Sequence, residues 1–274
     1  MAITAPTTLM RRGYVDVSRG QLHYRERGTG STTVVLLHQT ASSGAMYEAF
    51  VEECVAANGE SAYRFIAFDT PGFGHSFRPA EHYDIGDFAN DFIEALDALG
   101  VGDFHVLGHH TGVAMAARLG ASRPDRVRSV TMFGPLALTV EQRAKHFDVI
   151  SPIVYEESGH YMIDVWQYAA APASPFPPNL DLHHREVVDK LYAGNRFHEA
   201  YETVFTTDIG ADIARVSAPL LLLTTEDDDL YAYLDQTIAC NPSMVVRVLD
   251  AGVYVFDQDP ALVASTIGET GLWA

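Results

Sequence analysis

The chain has 274 residues, of which 47% are apolar, and a formal net charge of -18 from 36 acidic against 18 basic residues. That length suits one large core or a core with a lid. A surface so negative repels phosphate backbones and anionic headgroups, which argues against nucleic acid and membrane surfaces as partners.

Two cysteines, Cys54 and Cys240, form neither a disulfide framework nor a zinc-ligand spacing, and read as free thiols in a reducing compartment. The stretch from Met1 to Arg12 lacks the apolar run of a signal peptide, and no segment reaches the roughly 18 apolar residues of a membrane span. A cytoplasmic protein is expected.

In chain order, Tyr14–Val17 and Leu22–Arg25 read as short strands that lead into the turn Gly28-Thr29-Gly30. Val34–Leu37 and Phe65–Phe68 are continuous apolar runs, the pattern of buried parallel strands. From Asp84 to Leu99 a helix is expected: Asp84 suits the N-cap, and Ile85, Phe88, Phe92, Leu96 and Leu99 share one face. Strand Phe104–Leu107, a helix from about Gly112 to Ser122 and strand Val127–Met132 follow. Between about Pro135 and Arg215 the rhythm breaks into an aromatic, histidine-bearing insert, whose middle, Ala171 to Pro178, is too rich in proline for helix or sheet interior. The strand pattern returns at Leu220–Thr224, followed by a helix around Leu230–Cys240, strand Val245–Leu249 and a last helix from Pro260. Strands alternating with helices imply a parallel sheet flanked on both faces, and an insert placed so reads as a cap over the sheet's C-terminal edge, where open α/β sheets bind ligands.

Six segments, in order, carry a resemblance. They are Val35-Leu36-Leu37-His38-Gln39-Thr40, Asp69-Thr70-Pro71-Gly72-Phe73-Gly74-His75-Ser76, Leu107-Gly108-His109-His110-Thr111-Gly112, Arg123-Pro124-Asp125-Arg126-Val127, Pro219 to Asp228, and Leu249-Asp250-Ala251-Gly252-Val253. Together they resemble the α/β-hydrolase superfamily over nearly the whole chain outside the insert. The resemblance implies an α/β fold with a mostly parallel sheet of about eight strands, a core formed by residues 1–135 and 215–274, and a cap formed by 136–214. Gly108 and Gly112 match the nucleophile elbow, a sharp strand-to-helix turn that tolerates no side chains beside it. The resemblance also assigns an oxyanion site to the backbone N–H groups of Thr40 and Thr111, beside His38 and Gln39.

Two positions depart from that pattern. His110 occupies the place of the Ser, Asp or Cys nucleophile, and Val253 the place of the catalytic histidine. No histidine follows His198, so the last segment cannot supply a base and a Ser-His-Asp triad is not expected. The acid remains, with Asp228 the choice from Asp227-Asp228-Asp229. His110 then has several readings. It could be a relocated base that meets Asp228 directly, activating water or moving a substrate proton. It could be a nucleophile that forms an acyl-imidazole, or a hydrogen-bond donor to substrate. It could also mark a decayed site in a ligand-binding protein without turnover.

Trp166, with Tyr155, Tyr161 and Tyr168, are candidates to line a substrate pocket, and Val253 and Tyr254 to border it. That pocket is expected to be mainly apolar. His38 reads as a structural residue that shapes the oxyanion loop, His109 as packing, and His183-His184 as cap surface rather than a metal site, since adjacent helical residues diverge. The turn Gly28-Thr29-Gly30 precedes its strand, unlike a dinucleotide loop, and Glu226–Asp229 lacks the glycine of a calcium loop. The expectation is therefore an enzyme without cofactor or metal, acting on a small, largely apolar carbonyl or ester compound. Homodimerisation stays open.

Overall fold

The computed structural model describes residues 10–148, 150–169 and 179–273. The proline-rich stretch Ala171 to Pro178 lies outside the described residues. Eight strands form one sheet: β1 (Arg11–Val17), β2 (Gly20–Arg27), β3 (Thr32–Leu37), β4 (Tyr63–Phe68), β5 (Phe104–His109), β6 (Val127–Phe133), β7 (Leu220–Thr225) and β8 (Val245–Leu249). They run side by side in the order β1-β2-β4-β3-β5-β6-β7-β8. Strand β2 is antiparallel to both β1 and β4, and every other pairing is parallel. This is the α/β-hydrolase fold that the six segments imply.

The apolar runs are continuous because alternate residues feed two cores. Val34 and Leu36 of β3 point to one face with Phe65, Leu107, Leu221 and Leu223. There they meet α1 (Glu48–Asn58), the short α10 (Val255–Gln258) and α11 (Pro260–Thr270) through Phe50, Phe256 and Val263. Val35 and Leu37 point the other way with Ile66, Phe68 and Val106, against α2 (Ile85–Ala98) and α3 (Thr111–Ser122). The start of α2 is fixed by a capping box: the Asp84 carboxylate accepts from Asp87 N–H, while Asp87 accepts from Asp84 N–H. The helix expected from Leu230 opens instead as a short 3-10 turn, Tyr231–Tyr233, before α9 (Leu234–Cys240). Both cysteines are free.

Between β6 and β7 lie α4 (Val140–Phe147), α5 (Tyr161–Ala169), α6 (Leu180–Ala193), α7 (Arg196–Thr206) and α8 (Ile209–Arg215). A separate apolar cluster of Ile153, Val165, Val187, Ala193, Phe197 and Ala200 packs α5, α6 and α7 onto Phe73 from the loop after β4. Helix α8 packs on α3, with Ile209 and Ile213 in the main core. Among the described residues no helix is long and apolar enough to cross a membrane.

Candidate active site

The site is built where β3, β5, β6 and β7 end side by side. At the end of β5 the chain turns sharply into α3 through His110, whose φ of 47 makes it the one non-glycine residue with positive φ among the described residues. Such a conformation costs on the order of 1–3 kcal/mol and persists only where the surroundings impose it. The flanking glycines are what permit it. A Cβ at Gly108 would lie 2.1 Å from Gly112 O, and one at Gly112 would lie 2.1 Å from Leu37 O. The backbone N–H of His110 donates to Phe133 O at 2.9 Å, which ties the turn to β6.

Asp228 follows the end of β7 in a tight turn, with its own N–H donating to Thr225 O at 3.2 Å. Its side chain is fully buried, and Leu230 N–H donates to its Oδ1 at 2.9 Å. The His110 ring reaches it across the end of β6: Nε2 and Asp228 Oδ2 lie 3.0 Å apart. An ionised carboxylate only accepts, so Nε2 carries the hydrogen and donates. This leaves Nδ1 as the second nitrogen, without a hydrogen-bond partner among the described residues. In a Ser-His-Asp triad it is Nδ1–H that meets the carboxylate and Nε2 that works, so the ring here is engaged from its opposite side.

Burial drives the imidazole toward its neutral form, but the Asp228 carboxylate outweighs that, with Asp229 acting in the same direction. The His110 pKa is raised above its usual 6.5. Burial likewise opposes the charge of Asp228, and His110 together with Leu230 N–H overcomes it, holding Asp228 below the usual 3.8. The His110 side chain is 25% exposed, toward a cavity.

That cavity measures about 300 Å³ and is bordered by His110, Gln39, Thr40, Val253 and Tyr254 from the sheet's end, and by Tyr168, Glu186, Lys190 and Tyr201 from α5, α6 and α7. Thr111 opens α3, so its N–H is one of the amides that a helix start leaves without an internal partner. Its Oγ1 accepts from Thr40 Oγ1 at 3.0 Å, which links the two loops from which oxyanion donors are expected. Tyr201 donates from its hydroxyl to Thr40 O at 3.0 Å, and Ser42 Oγ donates to Glu186 Oε1 at 3.0 Å, fastening α7 and α6 to the β3 loop.

Two expectations, those for Trp166 and for a mainly apolar lining, meet different surroundings. Trp166 does not border this cavity. It is 38% exposed and stacks on His183 with ring centroids 4.1 Å apart. Tyr168, two residues on, borders it instead, because positions i and i+2 of a helix face apart. His38 is buried with both ring nitrogens engaged by backbone: Nδ1 lies 2.7 Å from Gln39 O, and Nε2 accepts from Thr70 N–H at 2.9 Å. Its ring organises the loop and offers no free polar atom. Nor is the lining mainly apolar, since Glu186, Lys190, Asp227 and Asp229 all contribute to it. His109 packs between Phe133 and Phe256 with both ring nitrogens unpartnered among the described residues, and burial holds it neutral.

Four further residues of the site, Gly134, Glu186, Lys190 and Tyr201, were not picked out by the sequence pattern. Gly134 has a weak signal, a glycine directly after a strand. Glu186 and Lys190 have only their i, i+4 spacing on α6, which any exposed helix shares. Glu186 is nevertheless buried, in contact with Arg185 Nη2 at 2.8 Å and Ser42.

A strained elbow residue between two glycines at the end of a central strand, an acid after β7 and helices inserted between β6 and β7 define an α/β-hydrolase-fold protein. A family model described as alpha/beta hydrolase fold matches residues 32–165. The chain is 27% identical over 253 residues to the putative carbamate hydrolase RutD of Azorhizobium caulinodans, an alignment that spans 89% of this chain and 91% of that one. It is also 27% identical over 125 residues to a 2-hydroxy-6-oxononadienedioate/2-hydroxy-6-oxononatrienedioate hydrolase of a Pseudomonas species, spanning 44% of each protein. The crystal structure of E-2-(acetamidomethylene)succinate hydrolase superposes with a TM-score of 0.72 at 22% identity, over 95% of this chain and 98% of that one, a likeness of fold.

Proposed function

We propose that this protein is an enzyme acting on a small carbonyl, ester or carbamate compound, with His110 and Asp228 working as one unit in place of a Ser-His-Asp triad. The observation that carries the reading is the 3.0 Å contact between His110 Nε2 and Asp228 Oδ2. Asp228 fixes the tautomer and stabilises the imidazolium, and Nδ1, in the neutral ring, takes a proton from water or from the substrate. The N–H groups of Thr40 and Thr111 hold the developing oxyanion. Residues 136–214 act as the cap, anchored through α8 on α3. A ring that lies wholly within one proton relay suits hydrolysis by activated water or a proton-transfer step such as elimination or C–C cleavage. The relatives' names widen the acyl classes to carbamates and enol-type dicarboxylates.

The test is a substrate panel of simple esters, lactones, carbamate esters and β-diketones, run on the wild type and on His110→Ala. Turnover by the wild type that falls by about 10²-fold or more in the variant is expected for loss of a general base. Turnover that His110→Ala leaves unchanged would overturn the reading, and so would a wild type inert to the whole panel.

A further inference from the structure

Lys190 is buried to 7% exposure, yet no acidic side chain among the described residues forms an ion pair with it. Its ammonium lies 3.3 Å from the centre of the Tyr168 ring and 4.0 Å from that of Phe197. Two ring faces stabilise a cation but accept none of its three N–H donors in the way that an oxygen does. The nearest acids along α6 are engaged elsewhere: Glu186, one turn earlier on the same face, with Arg185 and Ser42, and Asp189 with Ser43 Oγ at 2.9 Å. Asp227 and Asp229 border the same cavity but are exposed to solvent, which screens them.

Lys190 also has a particular place. It borders the cavity that holds His110, and it borders a second one of about 440 Å³ that runs between Ile153, Tyr161, Val165 and Phe197. Tyr168 is the other residue common to both. The lysine therefore stands at the junction of a reaction chamber and an outer chamber that Ile153, Val165 and Phe197 line and the exposed Glu156 and Asp164 also border, its N–H donors without a hydrogen-bond acceptor among the described residues.

We propose that Lys190 is the binding site for an anionic group of the substrate, a carboxylate or a comparable oxyanion, held at the junction of the two cavities while the reacting carbonyl lies toward His110. The ligand's anion supplies the hydrogen-bond acceptors and the counter-charge that the fold leaves out. Burial alone pushes the free lysine down to about 7, the condition of an ammonium that lacks its partner. The reacting end of this substrate rests on the function proposed above; the anion site does not.

Hexanoate and its uncharged analogue hexanamide separate the two. Their dissociation constants are measured by calorimetry on the wild type, His110→Ala, Lys190→Met and Lys190→Arg. Hexanoate is expected to bind the wild type at least tenfold more tightly than hexanamide. That preference is expected to survive in His110→Ala and largely in Lys190→Arg, and to vanish in Lys190→Met. If Lys190→Met does not fold, Lys190→Gln takes its place. Equal binding of the two compounds by the wild type, no hexanoate binding, or a preference that persists without the lysine would each overturn the anion site. A preference intact in a protein inert to every acyl substrate would overturn the catalytic reading alone.

Discussion

Gly134 lies against the His110 ring: a Cβ built on it would sit 2.5 Å from His110 Cδ2 and 3.3 Å from Asp228 Oδ2. The reason is the strand order. His110 ends β5, Asp228 follows β7, and β6 runs between them. The two side chains therefore meet above the end of β6, and only a residue without a side chain leaves them room. Gly134 also has a φ of 101, which disfavours any other residue.

Gly134→Ala is accordingly expected to part His110 from Asp228 and to lower turnover about as much as loss of Asp228 does. Stability should fall by about 1–3 kcal/mol, from the strained backbone. Chemical denaturation and steady-state kinetics on the same sample check both. Activity kept at the wild-type level would show that the contact across β6 is not used.

His110→Ala and Asp228→Asn should each reduce turnover by about 10²- to 10⁴-fold. The double variant should lose little beyond the worse of the two, as expected of residues that act as one unit. Fully multiplicative losses would separate their roles.

The pH dependence has a definite sign. The His110 pKa is raised above 6.5 by Asp228. With the neutral ring as the proposed base, turnover should rise with pH through a midpoint above 6.5, and Asp228→Asn should move that midpoint down. For stability, a raised folded-state pKa stabilises the protein fully below 6.5, and this contribution is lost as pH rises through the folded value. Asp228, held below 3.8, contributes stability above that value, lost as pH falls through its folded pKa. Denaturation midpoints followed across pH, wild type against Asp228→Asn, measure both trends. A turnover profile that falls over the same range would assign His110 as an acid.

Fluorophosphonate probes are expected to leave the protein unlabelled, because the elbow holds an imidazole and position 253 a valine. Ser42 and Ser43, the serines of the β3 loop, donate to the carboxylates of Glu186 and Asp189 rather than to an imidazole. His110→Ser alone should create no esterase, since nothing at position 253 would take the serine's proton. Mass spectrometry of the probe-treated protein checks the first expectation and ester hydrolysis the second. Stoichiometric labelling of any serine would contradict it.

What the sequence by itself determined was whatever depends on neighbours along the chain. The runs Val34–Leu37 and Phe65–Phe68 announced buried strands because each residue must be apolar when both faces of a sheet are covered. Asp84 announced the start of α2 because a cap is satisfied within four residues. Gly108 announced the elbow because its crowding is local: a Cβ there would meet Gly112 O, four positions on. The contact between His110 and Asp228, 118 positions apart, depended on which strand lies between β5 and β7, and so did the need for Gly134. Trp166 and Tyr168 looked alike in sequence, and only the rotation of α5 against α6 decided which faces the cavity. Glu186 and Lys190 read as an ordinary charged pair on a helix surface. Tertiary packing buried both, satisfied the carboxylate through Arg185 and Ser42, and left the ammonium between two aromatic rings. Whether a buried charge finds its partner is settled by the elements packed around it, which no local pattern records.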